Sequence, residues 1–256
     1  MLTLNGVGIS FGSGPNRVAA VEDLSFSVEA GQFVTIVGAS GSGKTTLLRA
    51  IDGLIPCSAG QITIGGQPVR GPGRDRAFVF QADCLLPWRT ILDNVAFSLE
   101  VRGARKPDAR ETARRYLALT GLADTERKFP AELSGGMRQR VNLARALAVD
   151  PAMLLMDEPF AALDAQTREV MQMELLTIWQ RSHTTVLFVT HQLEEAAYLG
   201  DRVIVLSAHP GHVRATVEIP FARPRPLELK HTPEFAGKVD ELWRLIREEV
   251  LRERRV

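Results

Sequence analysis

The chain has 256 residues with 45% hydrophobic and 24% charged side chains, ordinary globular usage that can build one large domain or two small ones. A formal net charge of +1 excludes bulk attraction to nucleic acid or acidic lipid. Cys57 and Cys84 match no metal or redox spacing and read as buried thiols in a reducing compartment. The first residues carry no signal-peptide pattern, and no apolar run approaches the roughly 18 residues needed to cross a bilayer. The chain is therefore expected to be cytoplasmic, with any membrane association made through a partner.

Residues 2–36 read as short strands with turns, among them an imperfectly alternating Val18–Val28 and a tight connection at 29–32. The apolar run Phe33-Val34-Thr35-Ile36-Val37 leads into Gly38-Ala39-Ser40-Gly41-Ser42-Gly43-Lys44-Thr45-Thr46 and then into helix-like Leu47-Leu48-Arg49-Ala50-Ile51. Strand, glycine-rich loop and helix in this order form a phosphate-binding context rather than an ordinary turn. Glycines let backbone N–H groups approach phosphate oxygens, and the helix directs its partial positive end there. Lys44 can reach terminal phosphates, and Thr45 offers a hydroxyl to Mg²⁺.

Further on, 61–66 reads as a strand ending in a turn, and Gly71-Pro72-Gly73 as a loop before the strand 77–80. Residues 91–122 read as helical, with Val95, Leu99, Tyr116, Leu117 and Leu119 on the apolar face. A helix is expected over 141–149, stopped by Asp150-Pro151, then a buried strand over 153–156. A helix over 166–180 and another buried strand at Thr185–Val189 follow. Alternating strands and helices argue for an α/β fold with a largely parallel sheet. Residues 222–232, rich in proline and charge, read as a linker. Thr232-Pro233 opens a terminal helix with Thr as N-cap, and Val239, Leu242, Ile246 and Val250 share one face.

Two further constellations carry chemistry. Asp157-Glu158-Pro159 ends the apolar run 153–156. A carboxylate pair at a buried strand end is costly without a positive partner, and Mg²⁺ held by ATP phosphates would supply one. Asp157 would then orient the metal and Glu158 would position water. In Leu133-Ser134-Gly135-Gly136-Met137-Arg138-Gln139-Arg140, Ser134 is a good N-cap and the glycines allow close backbone approach. That makes a second helix-start anion site, used either on the same nucleotide or on a neighbour's. His183, His209, His212 and His231 read as surface polar residues, and 252–255 as a solvated basic helix end. Trp88 reads as local core or docking surface, and Trp179 and Trp243 as packing.

The set of motifs resembles the ATP-binding cassette (ABC) family over nearly all of residues 2–221. GASGSGKTT is similar to its Walker A loop, LSGGMRQR to its signature, and MLLMDEP to Walker B with the catalytic glutamate at Glu158. FAALD, ending in Asp164, resembles the D-loop; Gln81 matches the Q-loop glutamine and His191 the switch histidine. Phe11 falls where the family places an adenine-stacking aromatic, there more often Tyr. The signature's usual Gln is Met137 here, which leaves the Ser134 hydroxyl and two glycine amides.

The resemblance implies a P-loop NTPase of the ABC ATPase fold, with a mixed or parallel core sheet, an N-terminal antiparallel β subdomain and an inserted helical subdomain. It implies an ATPase domain over 1–221, with the helical part roughly at 90–140, and a linker and C-terminal helix over 222–256. ATP would be bound by Phe11, Gly38, Ser40, Gly41, Ser42, Gly43, Lys44, Thr45, Thr46 and Gln81, and Mg²⁺ by Thr45, Gln81 and Asp157. Glu158, His191 and Lys44 would carry catalysis. Two cassettes would close head to tail, so that Ser134, Gly135, Gly136 and Met137 serve the partner copy's nucleotide.

The pattern GPG…R…VFQ…LLPW…NVAF is similar to importers of the nitrate, sulfonate and taurine group. It implies integral-membrane permease subunits, fed by a solute-binding protein, with the cassette held peripherally on the cytoplasmic face of the inner membrane. No nucleic acid partner is implied. Gln81 and residues 83–97 would receive the permease. Related importers carry a thiamine pyrimidine precursor or aromatic acids, and an exporter or lipoprotein-type complex is the nearest rival. A small-molecule kinase would need neither the signature nor the carboxylate pair.

Overall fold

The structure, a computed structural model, describes residues 1–182 and 184–253. His183 and the cluster members Arg254 and Arg255 lie outside the described residues, as do the side chains of Val250 and Arg252. The chain divides into two compact units, one of residues 1–73 with 183–256 and one of Arg74–Ser182.

The first unit begins with β1 (Leu2–Phe11), paired antiparallel with β2 (Val18–Val28) and with β4 (Ala59–Ile64); β4 in turn pairs with the short β5 (Gln67–Pro68). The second set of strands in this unit is built around β3 (Phe33–Gly38), whose six residues are all buried. An uninterrupted apolar run is what a strand covered on both faces requires. It pairs in parallel with β8 (Thr185–Val189) on one side and β9 (Arg202–Leu206) on the other, and β10 (Val213–Glu218) closes the edge antiparallel to β9. Helix α1 (Lys44–Asp52) leaves β3 through the glycine loop, and α6 (Leu193–Leu199) follows β8. β9, α6 and β10 fall in a region to which the sequence reading assigns no elements, although Val203-Ile204-Val205-Leu206 has the same apolar signature as β3.

In the second unit, β6 (Arg76–Val79) and β7 (Met153–Asp157) pair in parallel. The stretch expected to be helical over 91–122 is two helices, α2 (Ile91–Val101) and α3 (Lys106–Leu119). The break falls at Gly103, whose φ is 96°, and Pro107 lies in the first turn of α3. Helices α4 (Gly135–Leu147) and α5 (Ala165–Ser182) complete the unit. Its apolar cluster includes Ile91, Val95, Ala113, Leu117, Val141 and Ala144, with Leu99 and Tyr116 packed against it. Leu119, expected on that face, is instead exposed at the end of α3.

The terminal helix α7 (Pro233–Glu253) starts where expected, with Thr232 Oγ1 accepting from Phe235 N at 3.3 Å. Among its described residues Phe235, Leu242 and Ile246 are buried, whereas Trp243 is exposed rather than packed. Segment 222–232 is fastened rather than free. Buried Arg225 donates to the Tyr198 and Gly200 carbonyls, both at 2.8 Å, and Tyr198 Oη donates back to the Arg225 carbonyl at 2.9 Å. Burial lowers the Arg225 pKa to about 10. Arg225→Ala should cost roughly 2–4 kcal/mol, because several buried carbonyls lose their donor at once. A urea unfolding midpoint unchanged from the parent would contradict this. Neither cysteine is buried as expected: Cys57 is half-buried in the turn after α1, and Cys84 is exposed in a loop with φ of 48°.

Candidate nucleotide-binding site

In the first unit, three parallel strands end side by side. Ile36 of β3 lies opposite Val189 of β8, and Gly38 lies opposite Leu206 of β9. Ligands of open α/β sheets bind at this carboxyl edge. Here β3 opens into the glycine loop. Gly41 and Gly43 have φ of 70° and 78°, a region costly for residues with a Cβ. A Cβ on Gly43 would stand 2.6 Å from Val21 Cγ2, and one on Gly38 would stand 2.6 Å from the Leu206 carbonyl oxygen. The loop therefore follows a path that only glycine allows at these points, with α1 starting at its end.

Ser42 and Lys44 are buried inside this loop, Thr45 and Thr46 are half-buried, and Ser40 is exposed at its rim. Lys44 Nζ donates to the carbonyls of Gly38 and Ala39, both at 2.9 Å, and to Ser42 Oγ at 3.1 Å. The cation thus sits within the turn that would enclose an anion, one residue before the hydroxyl of Thr45. His191 lies two residues beyond β8 and is exposed at the same sheet edge; Thr190 N donates to the Ile36 carbonyl at 3.1 Å. Phe11 lies on the other sheet of this unit, at the end of β1, with half of its surface (50%) exposed and a ring face available for stacking.

In the second unit, the carboxyl ends of β6 and β7 are neighbours through Val79 and Met156. Buried Asp157 ends β7. Glu158 follows with φ of 46°, a left-handed turn that sets it off from the strand, and is half-buried. Gln81 is exposed two residues beyond β6. The segment after it is tied to α4: Arg138 Nε meets the Asp83 carboxylate at 2.8 Å, and Arg145 donates to the carbonyls of Asp83 and Cys84 at 3.0 and 2.8 Å.

Helix α4 starts as its sequence suggests, with the Ser134 hydroxyl accepting from Met137 N at 3.3 Å. Ser134 and Gly135 are exposed. Met137 packs against the helical cluster, so an apolar side chain suits this position. Asp164 caps α5, accepting from Thr167 N at 3.0 Å and Thr167 Oγ1 at 2.7 Å. These bonds hold its carboxyl pKa below the usual range. A Cβ on Gly136 would meet the Thr167 methyl at 2.7 Å. Thr167 thus joins the Asp164 turn to the start of α4, a link no motif announced.

Asn94 is a second residue whose role needed the structure. It is fully buried and bonds the Leu86 N–H at 2.7 Å and the Leu86, Arg89 and Thr90 carbonyls at 3.0–3.1 Å. It shapes the turn that carries Trp88, whose surface is 72% exposed. Trp88 is therefore not core.

A Lys buried in a glycine cradle and a second, Ser-capped glycine helix start stand where the motifs that resemble the ABC family place them. The ABC transporter family matches residues 21–161, more than half of the chain. The chain belongs to that family and is an ATP-binding, ATP-hydrolysing cassette. Taurine import ATP-binding protein TauB of Rhizobium johnstonii is 45% identical over 249 residues, covering 94% of this chain and 95% of that protein. Nitrate import ATP-binding protein NrtD of Synechocystis is 46% identical over 236 residues, covering 90% and 89%. A dimeric ATP-binding cassette in a post-hydrolysis state, bound to ADP and phosphate, matches with a TM-score of 0.76 at 32% identity, covering 87% of this chain and 100% of that one.

Proposed function

We propose that this chain is the ATP-hydrolysing subunit of an importer for a small solute of the nitrate, sulfonate or taurine type, acting through a separate membrane permease. The observation that carries the ATPase reading is the buried Lys44 ammonium inside a loop whose glycine positions have no room for a Cβ. The taurine and nitrate import relatives, alike over most of their length, support the importer assignment. No helix among the described residues is long and apolar enough to cross a membrane. The membrane path therefore falls to permease subunits, which would hold the cassette at the cytoplasmic face. In this reading residues 1–221 form the ATPase domain, the helical part of roughly 90–140 is inserted in it, and 222–256 is an appended segment.

The tasks divide among these residues as follows. Glycine-loop amides and Lys44 bind the β- and γ-phosphates, Thr46 and Ser40 hold their flanks, and Phe11 stacks on the base. Mg²⁺ favours one or two carboxylates together with phosphate oxygens and waters. Thr45, Gln81 and Asp157 fit that donor set, and buried Asp157 fits a cation best of all. The metal would neutralise phosphate charge. Glu158 orients or deprotonates the attacking water, and His191 holds the γ-phosphate and Glu158 in register.

Ser134, Gly135, Gly136 and Met137 serve the nucleotide of a second copy, and Asp164 lies beside that junction. Ser134→Arg should therefore abolish hydrolysis while leaving ATP affinity within about threefold of the parent, a change below 1 kcal/mol. Equal loss of both would place the signature and the phosphate loop on one nucleotide within one chain.

Gln81 and residues 83–97 receive the permease, with Trp88 as the apolar contact. In liposomes holding the permease and this chain, ATP should drive uptake of taurine or nitrate. Trp88→Ala should end uptake while stability stays within about 0.5 kcal/mol and basal ATPase persists. ATP-dependent efflux, or uptake indifferent to Trp88, would overturn the importer assignment or the docking surface respectively.

A further inference from the structure

We propose that His209 is a positioning residue for ATP binding, bracing the phosphate-binding loop at Gly41. This rests on reading residues 38–46 as the phosphate cradle. β9 lies beside β3, so the turn after β9 emerges at the sheet edge from which the glycine loop rises. That turn, residues 207–212, is closed on itself. Ser207 N donates to the His212 carbonyl at 3.0 Å, His212 N donates to Ser207 Oγ at 3.1 Å, and Ser207 Oγ lies 2.5 Å from His212 Nδ1.

The closed turn is pinned to β2 and to the phosphate loop. Gly211 N donates to the Ala20 carbonyl at 3.0 Å, and Glu22 N donates to the Gly211 carbonyl at 2.9 Å. A Cβ on Gly211 would run into the carbonyl oxygen of Ser42, so the two backbones touch. On this mount His209 adopts φ of 57°, a conformation disfavoured for a residue with a Cβ and found most often where surrounding structure imposes it. The result is that the imidazole edge lies on Gly41. A Cβ there would stand 2.9 Å from His209 Cε1 and 3.3 Å from Nε2.

Gly41 has no side chain of its own to hold it at φ of 70°. A glycine samples many backbone states, and each departure from this one disperses the amides that must converge on phosphate. The ring fills the space on the outer side of Gly41 and restricts those departures. Pre-organisation of this kind raises affinity without adding a bond to the ligand, because the competent loop is populated more often. His209 is exposed on its other side, so it reads as an ordinary surface histidine in the sequence.

The test uses the full chain, with ATP binding followed by displacement of a fluorescent ATP analogue and turnover by phosphate release. His209→Ala should raise both Kd and KM for ATP about three- to tenfold, the range expected for one lost neighbour contact. It should leave kcat within about twofold and the melting temperature at the parent value. His209→Phe, which keeps a planar ring, should restore the affinity. Gly41→Ala should weaken binding less in the His209→Ala background than in the parent, since the ring it collides with is gone. Unchanged affinity in His209→Ala, no recovery with Phe, or an equal Gly41→Ala penalty in both backgrounds would overturn the brace. A Lys44→Ala protein that binds ATP like the parent would remove the cradle reading, and the brace with it. Loss in Lys44→Ala beside no loss in His209→Ala would remove the brace alone.

Discussion

Glu158→Gln should bind MgATP nearly as the parent does and hydrolyse it roughly a hundred- to ten-thousandfold more slowly, the usual worth of a positioned general base. The substitution keeps side-chain size and hydrogen bonding and removes only the charge that would accept the water proton. Glu158 suits this task by position. It follows the buried Asp157 at the end of β7, where the backbone leaves the strand path at φ of 46°, and it is half-buried where Asp157 is buried. In the proposed division Asp157 would hold the cation and Glu158 the water. The variant should therefore accumulate as an ATP-bound dimer, because ATP favours the closed pair and hydrolysis no longer releases it. His191→Ala should also slow turnover without abolishing binding, whereas Asp157→Asn should weaken the Mg²⁺ dependence itself. Size-exclusion chromatography with light scattering and a phosphate-release assay report both quantities. Parent-rate hydrolysis by Glu158→Gln would assign the base to another residue.

Lys44→Ala should weaken ATP binding by roughly ten- to a hundredfold or more and reduce hydrolysis to background. A hydrogen bond to a charged group is worth about 1.5–3 kcal/mol, and each 1.4 kcal/mol is a factor of ten. The ammonium already sits within the loop, bonded at 2.9 Å to the Gly38 and Ala39 carbonyls. Exchange of those acceptors for phosphate oxygens needs only a short movement of the side-chain tip. The same bonds mean that alanine removes a donor from the loop itself, so thermal unfolding must accompany the binding measurement. A variant with a parent-like melting temperature and parent-like ATP affinity would contradict the assignment of Lys44.

The motifs proposed to carry the chemistry of this chain are legible along the sequence because they are local. Phosphate loop, carboxylate pair and Ser-capped helix start each occupy a few consecutive residues, and each carries its own physical reason. The buried strands β3, β7 and β8 are legible for the same cause, and β9 bears the same mark in Val203-Ile204-Val205-Leu206. What the sequence conceals depends on residues far apart in the chain. Arg225 sits among prolines and charges that suggest a solvated linker, yet it is buried against the carbonyls at the end of α6. Thr167 touches Gly136 only because α4 and α5 are neighbours. His209 meets Gly41 only because β9 lies beside β3. The single break between α2 and α3 was written in Gly103 and Pro107, and helical periodicity on both sides masked it.

In the proposed function this chain hydrolyses ATP as a pair of cassettes. Phosphate release from MgATP by the purified protein, measured over a wide range of protein concentration, tests it most directly. Release should require Mg²⁺, with a rate per chain that rises with concentration as pairs form and then levels off. A folded protein that releases no phosphate at any concentration, or one whose rate per chain is constant from the most dilute sample upward while it remains a monomer with ATP, would contradict it.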